Sequence, residues 1–230
     1  MNQHTARDFE QELQNIRGAL LEMAGRVEAM IADSGRALLE RDVELARRTI
    51  ETDQEVNRAE VEIDEACLLI LAKRQPMASD LRFVTLVMKM VTDLERIADL
   101  AVNICERTID LAQASVIVHA SIPTMSDRTQ AMVHLAIEAF VERDEAKARE
   151  VISLDDKVDE LYHQVFEDLL VQMHKEPELL HDWIHVQSVA KWLERMADHT
   201  TNLAEMVIYM VAGRDIRHPH LRRAERAGRS

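Results

Sequence analysis

The run Leu94-Glu95-Arg96-Ile97-Ala98-Asp99 recurs as Leu193-Glu194-Arg195-Met196-Ala197-Asp198, and an Asn follows each copy at the same step, Asn103 and Asn202. A second matched pair, Glu40-Arg41-Asp42 and Glu142-Arg143-Asp144, lies upstream at nearly the same spacing. Duplication on this scale covers most of each half, so the chain must fold as two related units. Asp53 aligns with Asp155 and Val56 with Val158 in one register, while Glu106 aligns with Glu205 in a slightly shorter one. The slip falls between Lys73 and Asp80 and between His174 and Asp182, because turns absorb length changes that packed helices cannot. Each of those turns carries a proline, Pro76 and Pro177.

Only 5 Gly and 4 Pro interrupt the chain, and Ala, Leu, Glu, Arg and Met are abundant. That is a helix-forming composition. Helical periodicity runs from about Thr5 to Gln113 and from about Ser126 to Ala212, with breaks near Arg41-Asp42, Pro76, Arg143-Asp144 and Pro177. The expected fold is all-α, two tandem three-helix bundles built from six long antiparallel helices. Residues 1–114 form the first bundle and 124–212 the second. Residues 115–123, rich in β-branched side chains and ending Ile122-Pro123, are expected to link them. Residues 213–230 form a basic tail with Arg214, Arg217, Arg222, Arg223, Arg226 and Arg229 against Asp215 and Glu225; it could dock on an acidic surface, and disorder is the expectation.

The formal charge of −14 argues against direct nucleic-acid binding, which rests on neutralising phosphates. Cys67 and Cys105 lack CxxC spacing, so neither a disulfide framework nor a thiolate zinc site is expected, and a reducing cytoplasmic setting fits. No apolar run approaches the roughly 18 residues of a spanning helix, and no leader peptide is expected. Membrane contact is expected only through partners.

Leu94, Ile97, Ala101 and Ile104, and likewise Leu193, Met196, Thr200 and Leu203, recur at the spacing of a bundle seam. Glu95, Asp99, Asn103 and Glu106 occupy an adjacent stripe, as do Glu194, Asp198, Asn202 and Glu205. In an antiparallel hairpin, residues whose numbers share one total lie at the same height. Asp53 with Asp99 and Asn57 with Glu95 share a total that closes the hairpin at Pro76; Asp155 with Asp198 and Asp159 with Glu194 share one that closes it beside Pro177. Each repeat thus brings four oxygen-bearing residues level. Like charges so placed repel. Arg96 and Arg195 could compensate by ion pairing, as could a hard or borderline metal ion bound by oxygen ligands. The candidate metal ligands are Asp53, Asn57, Glu95, Asp99, Asp155, Asp159, Glu194 and Asp198.

Gln75-Pro76-Met77-Ala78-Ser79-Asp80-Leu81-Arg82-Phe83, Thr92-Asp93-Leu94-Glu95-Arg96-Ile97-Ala98-Asp99 and Leu193-Glu194-Arg195-Met196-Ala197-Asp198-His199 together resemble the PhoU family of bacterial phosphate-specific transport. The resemblance spans roughly residues 8 to 212. It implies two three-helix bundles and, in some members, Fe, Mn or Zn ions held on acidic faces through ExxxD-type motifs, which here match Glu95 with Asp99 and Glu194 with Asp198. It further implies a cytoplasmic, non-enzymatic homodimer that connects the ATPase subunit of a phosphate ABC transporter with a sensor histidine kinase. Such an adaptor is a negative regulator of the starvation response when phosphate is plentiful. Asn57 departs from the fully acidic pattern, so weaker metal binding is expected in repeat one.

The alternative is a metal-dependent oxidase or metal-storage bundle, because Glu160 with His163 and Glu178 with His181 have ExxH spacing. These two pairs do not fall at one height. No glycine-rich phosphate loop or GxSxG motif is present. Among the scattered histidines, His199 stands out because it follows Asp198.

Overall fold

The computed structural model describes residues 3–213, and side chains from Arg7 onward. The basic tail lies outside the described residues from Arg214. Six helices follow in order: α1 Gln3–Glu40, α2 Val43–Arg74, α3 Ala78–Leu111, α4 Ser121–Glu142, α5 Glu145–Lys175 and α6 Leu180–Ala212, with a 3₁₀ turn at Pro177–Leu179 before α6. No strand occurs among the described residues. The first three helices pack on one another, as do the last three, and the two groups meet through α3 against α6 and α1 against α4. A single hydrophobic core runs through both groups, from Leu20 and Met23 on α1 to Leu193 and Val207 on α6.

The repeated Glu-Arg-Asp is the turn between the first two helices of each unit. Arg41 and Arg143 both adopt the left-handed conformation, with φ of 56° and 55°. The following Asp in each case donates its N–H back five residues, Asp42 to the Ala37 carbonyl and Asp144 to the Ala139 carbonyl, both at 2.9 Å. This bond closes the preceding helix. The same Asp opens the next one: its carboxylate accepts from the N–H of Leu45 in the first copy and from Ala146 and Lys147 in the second. Arg41 has a further role that Arg143 lacks. Its guanidinium donates to the carbonyls of Leu111, Ala114 and Val116, which supplies donors and positive charge where α3 ends.

The breaks expected at the prolines occur, but α4 starts earlier than anticipated. Ser121 to Pro123, expected to belong to the connector, form the first turn of α4. A proline there loses nothing, because the first N–H groups of a helix have no partner within it. His119 reinforces this start: its Nδ1 accepts from the Ser121 N–H at 3.1 Å while Nε2 meets Asp168 of α5 at 3.1 Å. With 22 residues, α4 is much shorter than the 38-residue α1. The connector replaces part of the missing length by burying Val116 and packing Ala114 and Val118 against the core.

The seam residues are buried as expected, and Thr200, the polar member of the second seam, donates its hydroxyl to the Met196 carbonyl at 2.7 Å. At the α1–α4 crossing Gly35 lets the helices approach closely: a Cβ there would stand 2.5 Å from Ser126 Oγ, so that hydroxyl would have to move. No helix among the described residues is long and apolar enough to cross a membrane.

These turns make a paired prediction. Arg41→Ala should lower stability by about 1–3 kcal/mol, because carbonyls at the end of α3 lose charged donors. Arg143→Gly should raise it by up to about 1 kcal/mol, because glycine meets no steric penalty at positive φ. Urea unfolding of the two variants checks the signs, and equal effects would contradict this account of the turns.

Candidate functional site

The acidic stripes project from the sides of the α2–α3 and α5–α6 hairpins, next to the core. On α2, Asn57 donates to one Asp53 oxygen at 2.7 Å, while the other, Oδ1, is buried without a hydrogen-bond partner. Burial raises the Asp53 pKa, the Asp99 charge on the facing helix adds to the rise, and the Asn57 bond opposes it. Glu95 is also raised, first by burial, then by Asp99, with opposition from Arg96 and a further push from Glu60. Arg96 stands 3.4 Å from both Glu95 and Asp99. That is within ion-pair range but long, and Glu95 Oε2 remains without a hydrogen bond.

Repeat two is more strongly acidic. Burial pushes Asp155 up to about 7, with contributions from Asp159, Asp198, Asp156 and Glu194. Asp198 is raised by burial, then by Glu194 and Asp159, with Lys191 and His199 opposing. The compensation that Arg195 could have supplied comes from another side chain. Lys191 takes the role instead, bonding Glu194 at 2.6 Å and lying 5.1 Å from the centre of the Tyr162 ring. Aromatic and carboxylate together hold that ammonium. The expected height relations are visible in these couplings: Asp53 responds to Asp99, and Asp155 to Asp198.

Sequence reasoning missed Glu60 and Asp64. Both are raised by burial, and Glu60 senses Asp64, Arg96 and Asp99. The signal was available, since Asp53, Asn57, Glu60 and Asp64 continue one stripe along α2. The corresponding stretch of α5 carries Tyr162 and Phe166 instead. His199, singled out by its place after Asp198, points across the junction to Asp93 on α3 at 2.8 Å, and Asn202 donates to the same oxygen at 3.3 Å. Farther along the junction, Arg107 meets His185 at 3.1 Å, and His185 meets His181 at 3.0 Å.

Asp53 and Asp155, and Glu95 and Glu194, each leave one buried oxygen unpartnered, at equivalent places in both repeats. Buried polar atoms normally find partners. Their donor chemistry fits a hard cation. As the side chains stand, no three Asp, Glu, His or Cys groups among the described residues gather closely enough to hold an ion, so binding would require rotamer changes. The ExxH pairs of the oxidase reading remain apart: Glu178 lies in the 3₁₀ turn, and His181 is engaged with His185. Cys67 and Cys105 are buried, and burial raises both thiols to about 12.

Comparison with known proteins bears on the whole of this architecture. The sequence profile of the PhoU domain matches residues 20–108 and again 122–207, one match per repeat. The chain belongs to the PhoU family. It is 37% identical over 225 residues to the phosphate-specific transport system accessory protein PhoU homolog of Pseudomonas putida, covering 97% of this chain and 88% of that one. Identity to the PhoU accessory protein of Escherichia coli K12 is 36% over 219 residues, covering 95% of this chain and 91% of that one. The crystal structure of PhoU from Pseudomonas aeruginosa superposes with a TM-score of 0.87 at 37% identity, covering 90% of this chain and 100% of that one. The phosphate transport system regulatory protein PhoU from Streptococcus pneumoniae gives 0.84 at 25% identity, covering 90% and 99%. Both acidic motifs, at Glu95-Asp99 and Glu194-Asp198, fall inside the matched PhoU segments.

The perturbed carboxylate gives a pH prediction. The Asp155 pKa in the fold, about 7, exceeds its ordinary 3.8, so the folded state binds this proton more tightly than the unfolded chain. Its stabilising contribution is complete below the ordinary value and is lost as pH rises toward the folded one. Metal-free protein in chelator should therefore melt at a higher temperature near about pH 5 than about pH 8, and Asp155→Asn should flatten that slope and raise the melting temperature at the upper pH. An unchanged slope in the variant would remove Asp155 as its source.

Proposed function

We propose that this PhoU protein is a cytoplasmic regulator of phosphate uptake and phosphate-starvation signalling that performs no chemistry of its own. It acts by being bound, linking the ATPase subunit of a phosphate ABC transporter to a sensor histidine kinase and holding the starvation response off when phosphate is plentiful. The observation that carries this reading is the near full-length match to accessory proteins of phosphate-specific transport, in which both repeats take part. An adaptor shifts its partners only as far as it binds one of their states better than the other. Two rigid bundles bearing acidic faces provide fixed surfaces for that discrimination.

Iron, manganese or zinc on the acidic faces is part of the proposal. In repeat one Asp53, Asn57, Glu95 and Asp99 would hold the ion, and in repeat two Asp155, Asp159, Glu194 and Asp198, the unpartnered oxygens being the support. A cation there would offset repulsion between carboxylates and alter the charge that partners meet. Repeat two should bind more tightly, since Asn57 is neutral where Asp159 is charged. A homodimeric working unit is also proposed. Its support is the exposure of equivalent leucines at the two hairpin tips, Leu68 with Leu170 and Leu81 with Leu180.

Two measurements test these claims. Deleting the gene should raise a starvation-gene reporter in phosphate-rich medium, and Arg96→Glu should reproduce part of the rise while circular dichroism shows intact helices. An unaltered reporter in the deletion strain, with the transporter functional, would overturn the regulatory assignment. Glu194→Ala combined with Asp198→Ala should abolish stoichiometric metal uptake by repeat two, and wild-type uptake should strengthen as pH rises through the Asp155 pKa. Equal metal content by elemental analysis would sink the metal proposal alone.

A further inference from the structure

The outer face of the α5–α6 hairpin changes character along its length, and the proposed function uses only one end of it. On α5 the stripe runs Asp155, Asp159, Tyr162, Phe166, and on α6 it runs Asp198, Glu194, Lys191, Gln187, Ile184. The far end is apolar and open to solvent, with Phe166 37% and Ile184 48% exposed. In the middle the polar groups are already engaged. Gln187 donates to the Tyr162 hydroxyl at 3.3 Å, and Lys191 is held by Glu194 and the Tyr162 ring. Phe166 lies beside Tyr162, with ring centres 6.3 Å apart. The face is one continuous strip, acidic at one end and apolar at the other.

Repeat one has no such strip. At the places of Tyr162, Phe166 and Ile184 it carries Glu60, Asp64 and Thr85, so its face stays polar toward the tip. Phe166 and Ile184 lie outside the core, and packing within the chain does not call for them. Exposed apolar side chains gain by being covered, and these two stand where the other copy has none. The acidic level, Asp155 beside Asp198, and the apolar level, Phe166 beside Gln187, are separated by the 11 residues from Asp155 to Phe166. Along a helix that is about 17 Å, or about three turns.

We propose that this strip is the docking surface for an amphipathic helix of a partner protein, whose Lys or Arg residues meet Asp155, Asp159 and Asp198 and whose apolar side chains, about three turns away, cover Phe166 and Ile184. The inference rests on the reading of the protein as an adaptor that acts by being bound. Charge selects the occupant. Neighbouring carboxylates repel one another, and one oxygen each of Asp155 and Glu194 is buried without a hydrogen-bond partner, so an incoming cation relieves a cost already present. A second copy laid along the strip would set acid on acid or acid on apolar surface, and an anionic lipid surface would be repelled. Leu170 and Leu180 lie one turn nearer the tip and remain available for contact between copies. A metal ion on the same acids would compete with the helix.

Photo-cross-linking of the full chain tests this. p-Benzoylphenylalanine replaces Phe166 in one variant and Asp64, its repeat-one counterpart, in another. Each is irradiated in chelator with inside-out membrane vesicles that carry the phosphate transporter and the sensor kinase. Position 166 should cross-link at least about fivefold more than position 64, to a segment that mass spectrometry finds apolar at the attachment point and rich in Lys or Arg about three turns away. Adding Asp155→Asn and Asp198→Asn to the first variant, with helicity checked by circular dichroism, should cut its yield at least about fivefold. Equal yields at the two positions, no product at position 166, no loss in the Asn variant, or a mapped segment without cations would overturn the proposal. So would products made only of two copies of this chain or only of lipid. A cationic and apolar segment from a protein other than the transporter or the kinase would uphold the docking strip and remove the adaptor reading instead.

Discussion

The antiparallel contact between α3 and α6 determines how the two repeats present themselves. Each repeat places its seam residues, Leu94 to Ile104 and Leu193 to Leu203, in one continuous core, and the backs of the two helices meet through Asp93, His199 and Asn202. The hairpin tips consequently point to opposite ends of the molecule. The acidic stripes nevertheless share a side, because Asp198, Asn202 and Met206 form one stripe of α6, and the last two line a groove with Asp64 and Thr92 of the first repeat.

The two faces answer the same electrostatic problem differently. Carboxylates beside a core lose hydration, and neighbouring carboxylates add to the cost. Repeat one relieves this with a neutral amide at Asn57 and the long ion pairs of exposed Arg96. Repeat two keeps Asp159 and relies on Lys191, which is held by Glu194 and the Tyr162 ring. The more acidic face thereby retains the more perturbed group, Asp155. Divergence after duplication has changed how strongly the acidic face holds a proton while leaving the helical frame intact.

Much of this was legible from the chain because the informative features are local. Proline positions, the Glu-Arg-Asp turns and the matched totals across each hairpin depend on neighbours in sequence and on regular helix geometry. What the sequence hid was tertiary. Pro123 resembles a helix end until His119 is seen capping the turn that contains it. Arg195 looks equivalent to Arg96, but Tyr162 gives Lys191 a platform that repeat one has no residue to provide. Glu60 and Asp64 were overlooked because the repeat comparison emphasised shared positions, and these two acids are not shared. The His199–Asp93 contact joins different repeats, so neither copy alone could indicate it.

The clamp at Arg41 has a consequence for how the two halves can move. By gripping the carbonyls of Leu111, Ala114 and Val116, it fixes the covalent connector to the far turn of the first bundle, and burial of Val116 fastens it again. His119 holds the other end, capping α4 at Ser121 and meeting Asp168, so the connector is fastened along its length and is a poor hinge. The relative motion most compatible with this packing is shear, a sliding of α3 past α6 along their common axis. Such a slide shifts both acidic faces at once and in opposite directions, so a partner gripping one hairpin would be mechanically felt at the other.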